Sequence, residues 1–308
     1  MNIIFDILQP LFVPLLSPLV IGVIRKIKAK MQNRQGAGVL QPYRDLWKLF
    51  HKDEVISQDA SWIFRIAPYI IFAVTLIVGA FIPIFNMNTF TAPLGDLLTV
   101  VYLLAIGTFF LALAGLDTGS AFGGFAASRE MTVSALAEGG LIFSFFILAL
   151  VSGSTNLFTI ADSVLVANIT SLQPIILAGL GYFIVLLAES GRYPFDNPAT
   201  HLELTMIHEA MILEYSGRRL ALMEWAAANK LFIFMTLGAN LFSPWGLMHE
   251  FSLGALAVAV AVFTLKLSAF CFAIAFIESG IAKFRFFRLP DLLIVSFILN
   301  IVAIGLIK

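Results

Sequence analysis

Residues 96–116 read DLLTVVYLLAIGTFFLALAGL, a run whose one charged residue stands at its first position and whose apolar side chains do not alternate with polar ones. A helix needs about 20 mainly apolar residues to cross the hydrocarbon of a bilayer, whereas a barrel strand alternates over about 10. The stretch therefore reads as a spanning helix. Seven further runs of this kind are centred in 3–24, 65–85, 131–152, 173–190, 221–242, 252–277 and 290–307. The composition agrees: 60% hydrophobic, 12% charged, 30 phenylalanines in 308 residues and a mean hydropathy of +0.95, where a soluble domain carries roughly a quarter charged residues. The expected architecture is an all-α integral membrane protein, one membrane domain over 1–308 with about eight transmembrane helices. The bilayer is its medium, and no nucleic-acid partner is expected.

A formal net charge of zero hides an asymmetry. Assigning each Lys and Arg to its nearest connection puts 17 of the 19 on one side, including Arg192, Arg218, Arg219 and Lys230 after the fifth run, while the connections near 86–95, 153–172 and 243–251 carry none. The positive-inside rule then predicts cytoplasmic odd-numbered connections and both termini outside. Asp6 within the first run and the basic residues after it argue against a cleaved signal peptide. Pro10, Pro14 and Pro18 recur on one face of that run and invite a kink. The single Cys271 cannot form an internal disulfide or hold an iron–sulfur cluster by itself.

Two cytoplasmic connections are too patterned to be turns. In GVLQPYRDLWKLFHKDE (38–54), Pro42 suits a first helical turn. Tyr43, Leu46, Trp47 and Phe50 then form a stripe opposite Arg44, Asp45, Lys48, His51 and Lys52. An amphipathic interfacial helix over 39–52 is predicted, aromatics toward the bilayer. The second, 191–219, is a long acidic loop. It opens on YPFDNP (193–198), a stiff turn, continues through good helix formers from Ala199 to Tyr215, and ends in EYSGRR (214–219), which is read as a Gly stop and a basic clamp. Six of the 19 acidic residues and two of the four histidines fall in 189–224.

The segment HEAMI (208–212) lacks the second His, four positions on, of a zinc-protease helix, and no metal site is expected. His201 and His208, seven apart, share a helix face but also read as ordinary cytosol-facing side chains. The acids within and at the ends of the spans carry more weight: Glu130 and Glu138 in the fourth, Glu189 closing the fifth, Glu224 opening the sixth, and Lys266 and Glu278 within and at the end of the seventh. A charge at the bilayer centre costs about 2.5–3.5 kcal/mol on insertion scales, so such groups must be paired, hydrated or protonated. Helix-end positions also fit an interfacial placement for Glu189, Glu224 and Glu278, whereas Glu138 lies deeper. The residue types indicate a proton-capable polar network running from an acidic loop into the membrane.

The order of motifs is more specific than any one of them. AKMQNRQGAGVLQPYRDLWKLFHKDEV (29–55), GLDTGSAFGGFAASREMT (115–132), ESGRYPFD (189–196) and LEYSG (213–217) resemble, over essentially the whole chain, the membrane subunit that respiratory complex I shares with energy-converting membrane-bound nickel–iron hydrogenases. MQNRQGAGVLQPYRDLWKL, LDTGSAFGG and ASRE look like the formate hydrogenlyase branch, in place of the Gly-Pro-Asn-Arg motif of the respiratory one. The resemblance implies a non-catalytic subunit that anchors a peripheral electron-transfer arm and links it to ion movement in antiporter-like neighbours. Nickel–iron and iron–sulfur centres would then belong to large and small partner subunits and none to this chain. By position, Glu189, Arg192, Asp196, Glu203 and Glu214 fall on the family's loop motif and Glu138 on its acidic residue in the fourth span. Arg192, Arg218, Arg219, His201 and His208 become candidate loop and partner contacts. The chain departs from the pattern at Ala199 and His201, where relatives carry acids, and in about three extra residues that include His208 and Glu209.

A quinone-reducing subunit, with the amphipathic helix and loop framing a quinone entrance, is the alternative within the family. A stand-alone secondary transporter would require inverted repeats, and a hydrolase would require a nucleophile or metal triad; neither signature is present.

Overall fold

A computed structural model describes residues 2–87, 89–167, 169–197, 206–249 and 252–307. Among these, eight helices are long and apolar enough to cross a membrane. The helices are α1 (Asn2–Met31), α2 (Gln41–Phe50), α3 (Trp62–Phe81), α4 (Leu97–Asp117), α5 (Ala121–Ser152), α6 (Leu157–Leu165), α7 (Ile169–Glu189), α8 (His208–Met211), α9 (Gly217–Leu241), α10 (Leu253–Gly280) and α11 (Leu289–Gly305). The short helices α2, α6 and α8 do not span.

Helix starts follow side-chain chemistry. Ser61, Asp96, Ser120, Asn156 and Ser252 each stand in extended backbone and accept a first-turn N–H, which satisfies donors that a helix leaves unpaired. Asp117, ending α4, reaches across to accept from Ser61 N (2.8 Å), Ser61 Oγ (2.6 Å) and Phe64 N (3.3 Å), fixing the start of α3 to the end of α4.

The bundle is built around α9. Some 67% of its spanning window is buried, against 22% for α10 and 28% for the last span, so α9 is the central helix and the outer faces of α10 and α11 lie at the periphery. Helices α1 and α3 pack on α9, and from α3 a succession of neighbouring contacts runs through α4, α5, α7 and α11. Phe232, Phe234, Phe145 and Tyr182 fill the centre with less than 2% exposure. Beside them Asn229 accepts from Ser17 Oγ (2.6 Å) and donates to Thr75 Oγ1 (3.0 Å), so the buried amide cross-links α1, α3 and α9.

Close backbone approach positions α2. At Gly22 of α1 an added Cβ would lie 1.9 Å from the carbonyl oxygen of Val39, so the connection before α2 lies directly on the α1 surface. Gly22→Ala is expected to cost about 1–3 kcal/mol through overpacking, read as a lower unfolding midpoint in detergent; an unchanged midpoint would contradict this contact.

Several sequence expectations change. The amphipathic helix is shorter than 39–52 and rests on α1 and α9 as well as facing outward: Pro42 and Leu46 are buried, the Tyr43 hydroxyl donates to the Leu15 carbonyl, and Trp47 stays 69% exposed. Of the good helix formers from Ala199 to Tyr215, residues 199–205 lie outside the described residues, and from Met206 on the stretch forms only the single turn α8. Met206, Ile207, Ala210, Met211, Ile212 and Tyr215 are all buried, most of them in one apolar cluster with α3, α4, α5 and α9, and a regular one-sided helix would not bury them together. Gly217 begins α9 instead of ending a helix. Its φ of +54° and its contact with the Lys52 and Asp53 carbonyls, 2.9 Å from where a Cβ would sit, account for the glycine. Lys230 is not a loop residue, since it lies midway along α9.

Candidate functional site

A cavity of about 880 Å³ opens at one end of the bundle, where α1, α2, α4, α5, α8 and α9 meet residues 189–196 and the end of α10. Its position follows from how α7 ends. After Glu189 the chain reverses at Gly191 (φ +57°), Arg192 N donates to Leu187 O (2.9 Å), and Phe195 N donates to Arg192 O (2.8 Å). This tight turn carries Arg192 and Asp196 back over the mouth of the bundle.

Three ion-paired clusters line the chamber. Glu278, with 2% of its side chain exposed, accepts from Lys28 (3.0 Å) and Arg192 (3.2 Å), joining α1, the 190–197 turn and α10. Lys28 also sits over the Tyr193 ring, 4.9 Å from its centre. Asp196, 3% exposed, pairs with Lys283 at 2.5 Å and accepts from the backbone N–H groups of Asn197 (2.8 Å), Ile207 (3.2 Å) and His208 (3.0 Å). It thereby holds α8 against the turn. Deeper, Glu189 pairs with Lys230 at 2.8 Å and accepts from Ser134 Oγ at 3.3 Å, while Lys230 also donates to Thr108 Oγ1 at 3.1 Å. Burial this complete is tolerated because each charge has a counter-charge and further hydrogen bonds.

His208, half-buried, lines the chamber. Burial pushes its imidazole down to about 4; Lys230 and Arg192 add to the drop, and Asp196 opposes it. Between the ordinary value of 6.5 and about 4 the unfolded chain therefore binds the extra proton. The contribution of this site to stability is complete above about pH 6.5 and is lost as pH falls toward 4. On acidification through that window the unfolding midpoint of the wild type should fall more steeply than that of His208→Gln; parallel slopes would contradict a neutral His208. Tyr193 is pushed upward by burial and by the charges of Glu278 and Asp196.

The remaining expected residues divide by place. Glu130 lines the chamber, and Glu224 lies at its rim within electrostatic reach of Arg25 and Asp45. Glu138 lies further along α5 outside the chamber lining, on the same helix face as Glu130 and Ser134 at four-residue spacing. Glu209, Asp45 and Lys48 line the chamber, while Arg44, Glu214 and Arg218 stand outside its lining, Glu214 and Arg218 at the exposed surface. Arg219 is turned inward to Glu54 (2.5 Å) and to the Arg65 carbonyl, so it clamps this chain's own 51–61 connection. Arg192 is likewise an internal clamp on Glu278 rather than a surface contact. Lys266 does not reach the acids: it donates to Asn240 Oδ1 (3.2 Å), and Glu278 lies 12 positions on, about 18 Å of helix. His201 and Glu203 lie outside the described residues. Lys230, Lys28 and Lys283, the cations that pair with the chamber acids, were not singled out from sequence; the signal for Lys230 was its place inside the apolar run 221–242 beside Asn229.

These features define a multi-pass membrane protein whose spans close around an ion-paired chamber at one end of the bundle. A family model described as NADH dehydrogenase matches residues 5–307. Formate hydrogenlyase subunit 4 of Escherichia coli (strain K12) is 34% identical over 285 residues, 92% of each chain. Hydrogenase-4 component C of the same strain is 36% identical over 287 residues, 92% of this chain and 89% of that one. NADH-quinone oxidoreductase subunit 8 of Rhodothermus marinus is 30% identical over 234 residues, 71% of this chain and 66% of that one. A solved chain of the membrane-bound sulfane sulfur reductase, an archaeal respiratory membrane complex, shares the fold with a TM-score of 0.83 at 21% identity, covering 98% of this chain and 100% of that one. The chain belongs to the NADH dehydrogenase family. Its relatives are subunits of multi-subunit hydrogenase and NADH-quinone oxidoreductase complexes, as the motif resemblance implied.

Proposed function

We propose that this chain is the membrane-anchoring and coupling subunit of a nickel–iron hydrogenase-type, complex I-like pump for protons or sodium ions. The observation that carries the reading is the chamber, whose lining brings Asp196 of the 190–197 turn and Glu209 of α8 together with carboxyl groups of the spans, Glu130 and Glu189. Electrons would pass through iron–sulfur clusters of a small partner subunit to the nickel–iron centre of a large one. The resulting charge change would act on Asp196, Glu203, Glu209 and Glu214, and Glu189 and Glu138 would take up protons in response. Exposed Glu214 and Arg218 suit contact with the arm, and antiporter-like membrane subunits would carry the ions. The mouth of the chamber would face the cytoplasm, with both termini outside, in keeping with the excess of Lys and Arg near it.

If electron transfer drives ion movement, a gradient must oppose turnover. In the complete complex sealed into liposomes, an ionophore should therefore raise the turnover rate several-fold; turnover indifferent to the ionophore would overturn the coupling role. A second reading, a quinone site, draws on the apolar side of the same chamber, where Pro18, Ile21, Leu46 and Leu49 stand between α1 and α2. It predicts that added quinone accepts electrons from the purified complex, and an absence of response counts against it.

A further inference from the structure

Lys230, with 18% of its side chain exposed, is a cation set among the acids of the spans. Its ammonium pairs with Glu189 on α7 (2.8 Å) and is braced by Thr108 on α4 (3.1 Å). Its charge also reaches Glu130 and Glu138 on α5. Ser134 stands between these two, four residues from each on one helix face, and donates to the second oxygen of Glu189. From the loop side, Asp196 and Arg192 complete the charged surroundings, with the neutral His208 beside them. Among the described residues Glu130 makes no direct hydrogen bond or ion pair, although it lines the chamber within reach of Lys230, Glu189 and Asp196. Three carboxyl groups therefore share one ammonium. A carboxylate taken out of water without a counter-ion costs several kcal/mol, and one ammonium can pair closely with only one of the three at a time.

We propose that Lys230 is a transferable counter-ion that pairs with Glu189 in this structure and moves to Glu130 as a proton moves the other way. In the step, Glu189 gains a proton and its ion pair with Lys230 breaks; Glu130 loses a proton and pairs with Lys230. Lys230 remains an ammonium throughout, and the net charge of the cluster does not change. In this step the lysine side chain swings from Glu189 on α7 toward Glu130 on α5 across the chamber that both line. This deepens the coupling role and rests on it: Asp196, beside Glu130, would bias the exchange when the charge at the loop changes.

The test uses the complete purified complex. Infrared difference spectra between the oxidised and reduced complex report protonated carboxyl groups, and the bands of Glu189 and Glu130 are identified by their loss in Glu189→Gln and Glu130→Gln. The wild type should show one band growing as the other falls, and Lys230→Met should abolish that reciprocity; bands that change independently of each other in the wild type would overturn the proposal. The second arm is the paired variant Lys230→Met with Glu189→Gln, which removes both charges and leaves no buried ion alone. It should assemble, yet carry at least tenfold fewer ions per electron. If the pair served structure alone, the paired variant would recover the wild-type ratio, and that result would also overturn the proposal. Should the wild-type complex move no ions, the coupling role fails, and the infrared arm still decides whether the lysine exchanges partners.

Discussion

Glu278→Ala should abolish assembly of this chain into its complex, with at least a tenfold loss of solubilised complex. The carboxylate is 2% exposed and is the shared counter-ion of Lys28 and Arg192. Removing it leaves two cations in a wall of the chamber with no acid between them. Breaking a buried pair by deleting one partner costs about 3–5 kcal/mol, and here two pairs are lost together. That is a large share of the roughly 5–15 kcal/mol that holds a typical domain. The same residue joins three segments far apart in the chain: Lys28 is 250 positions away and Arg192 is 86. The damage should therefore spread to the fit of α10 against α1 and the 190–197 turn. Glu278→Asp, which keeps the charge but shortens the reach, should recover part of the yield. Normal assembly of Glu278→Ala would mean that solvent or a partner subunit satisfies Lys28 and Arg192.

Both large effects concern residues that the sequence singled out, but their partners were much harder to read. The eight spans were legible because hydropathy is summed over about 20 residues and each run is long enough to decide the matter. Caps such as Ser61, Asp96 and Asn156 came from the structure, where their bonds fall at the positions a helix start requires. The acids of the chamber were legible because a charge within an apolar run is conspicuous. Their counter-ions were hidden, since Lys28 stands among several basic residues at the end of α1 and nothing local shows which of them turns inward. Lys230 was assigned to a connection because charges were counted to the nearest loop; a helix that starts at Gly217 instead carries it to the middle of the membrane-spanning segment. Lys266 misled in the opposite sense, as a cation in a span that meets an amide, Asn240, and no acid. The nine-residue helix α6 was missed because it is too short to span and is held by Asn156 and by burial of Leu157, Phe158 and Ile160 against the bundle.

Glu138→Gln is expected to have the largest functional effect. The residue lies on the face of α5 that carries Glu130 and Ser134, two turns deeper than Glu130, and it feels the charges of Glu189 and Lys230. It is thus placed to continue the network beyond the chamber toward the interior of the membrane. The glutamine is nearly isosteric and keeps a polar group but cannot exchange a proton. The complex should assemble, because among the described residues no ion pair or hydrogen bond joins Glu138 directly to another element. Reduction or oxidation of an artificial dye by the peripheral arm should persist, because that chemistry belongs to partner subunits. The direct test is the number of ions moved per electron by the Glu138→Gln complex in sealed liposomes. At least a tenfold fall with dye activity retained is the predicted result; a wild-type ratio would contradict a coupling path through this chain.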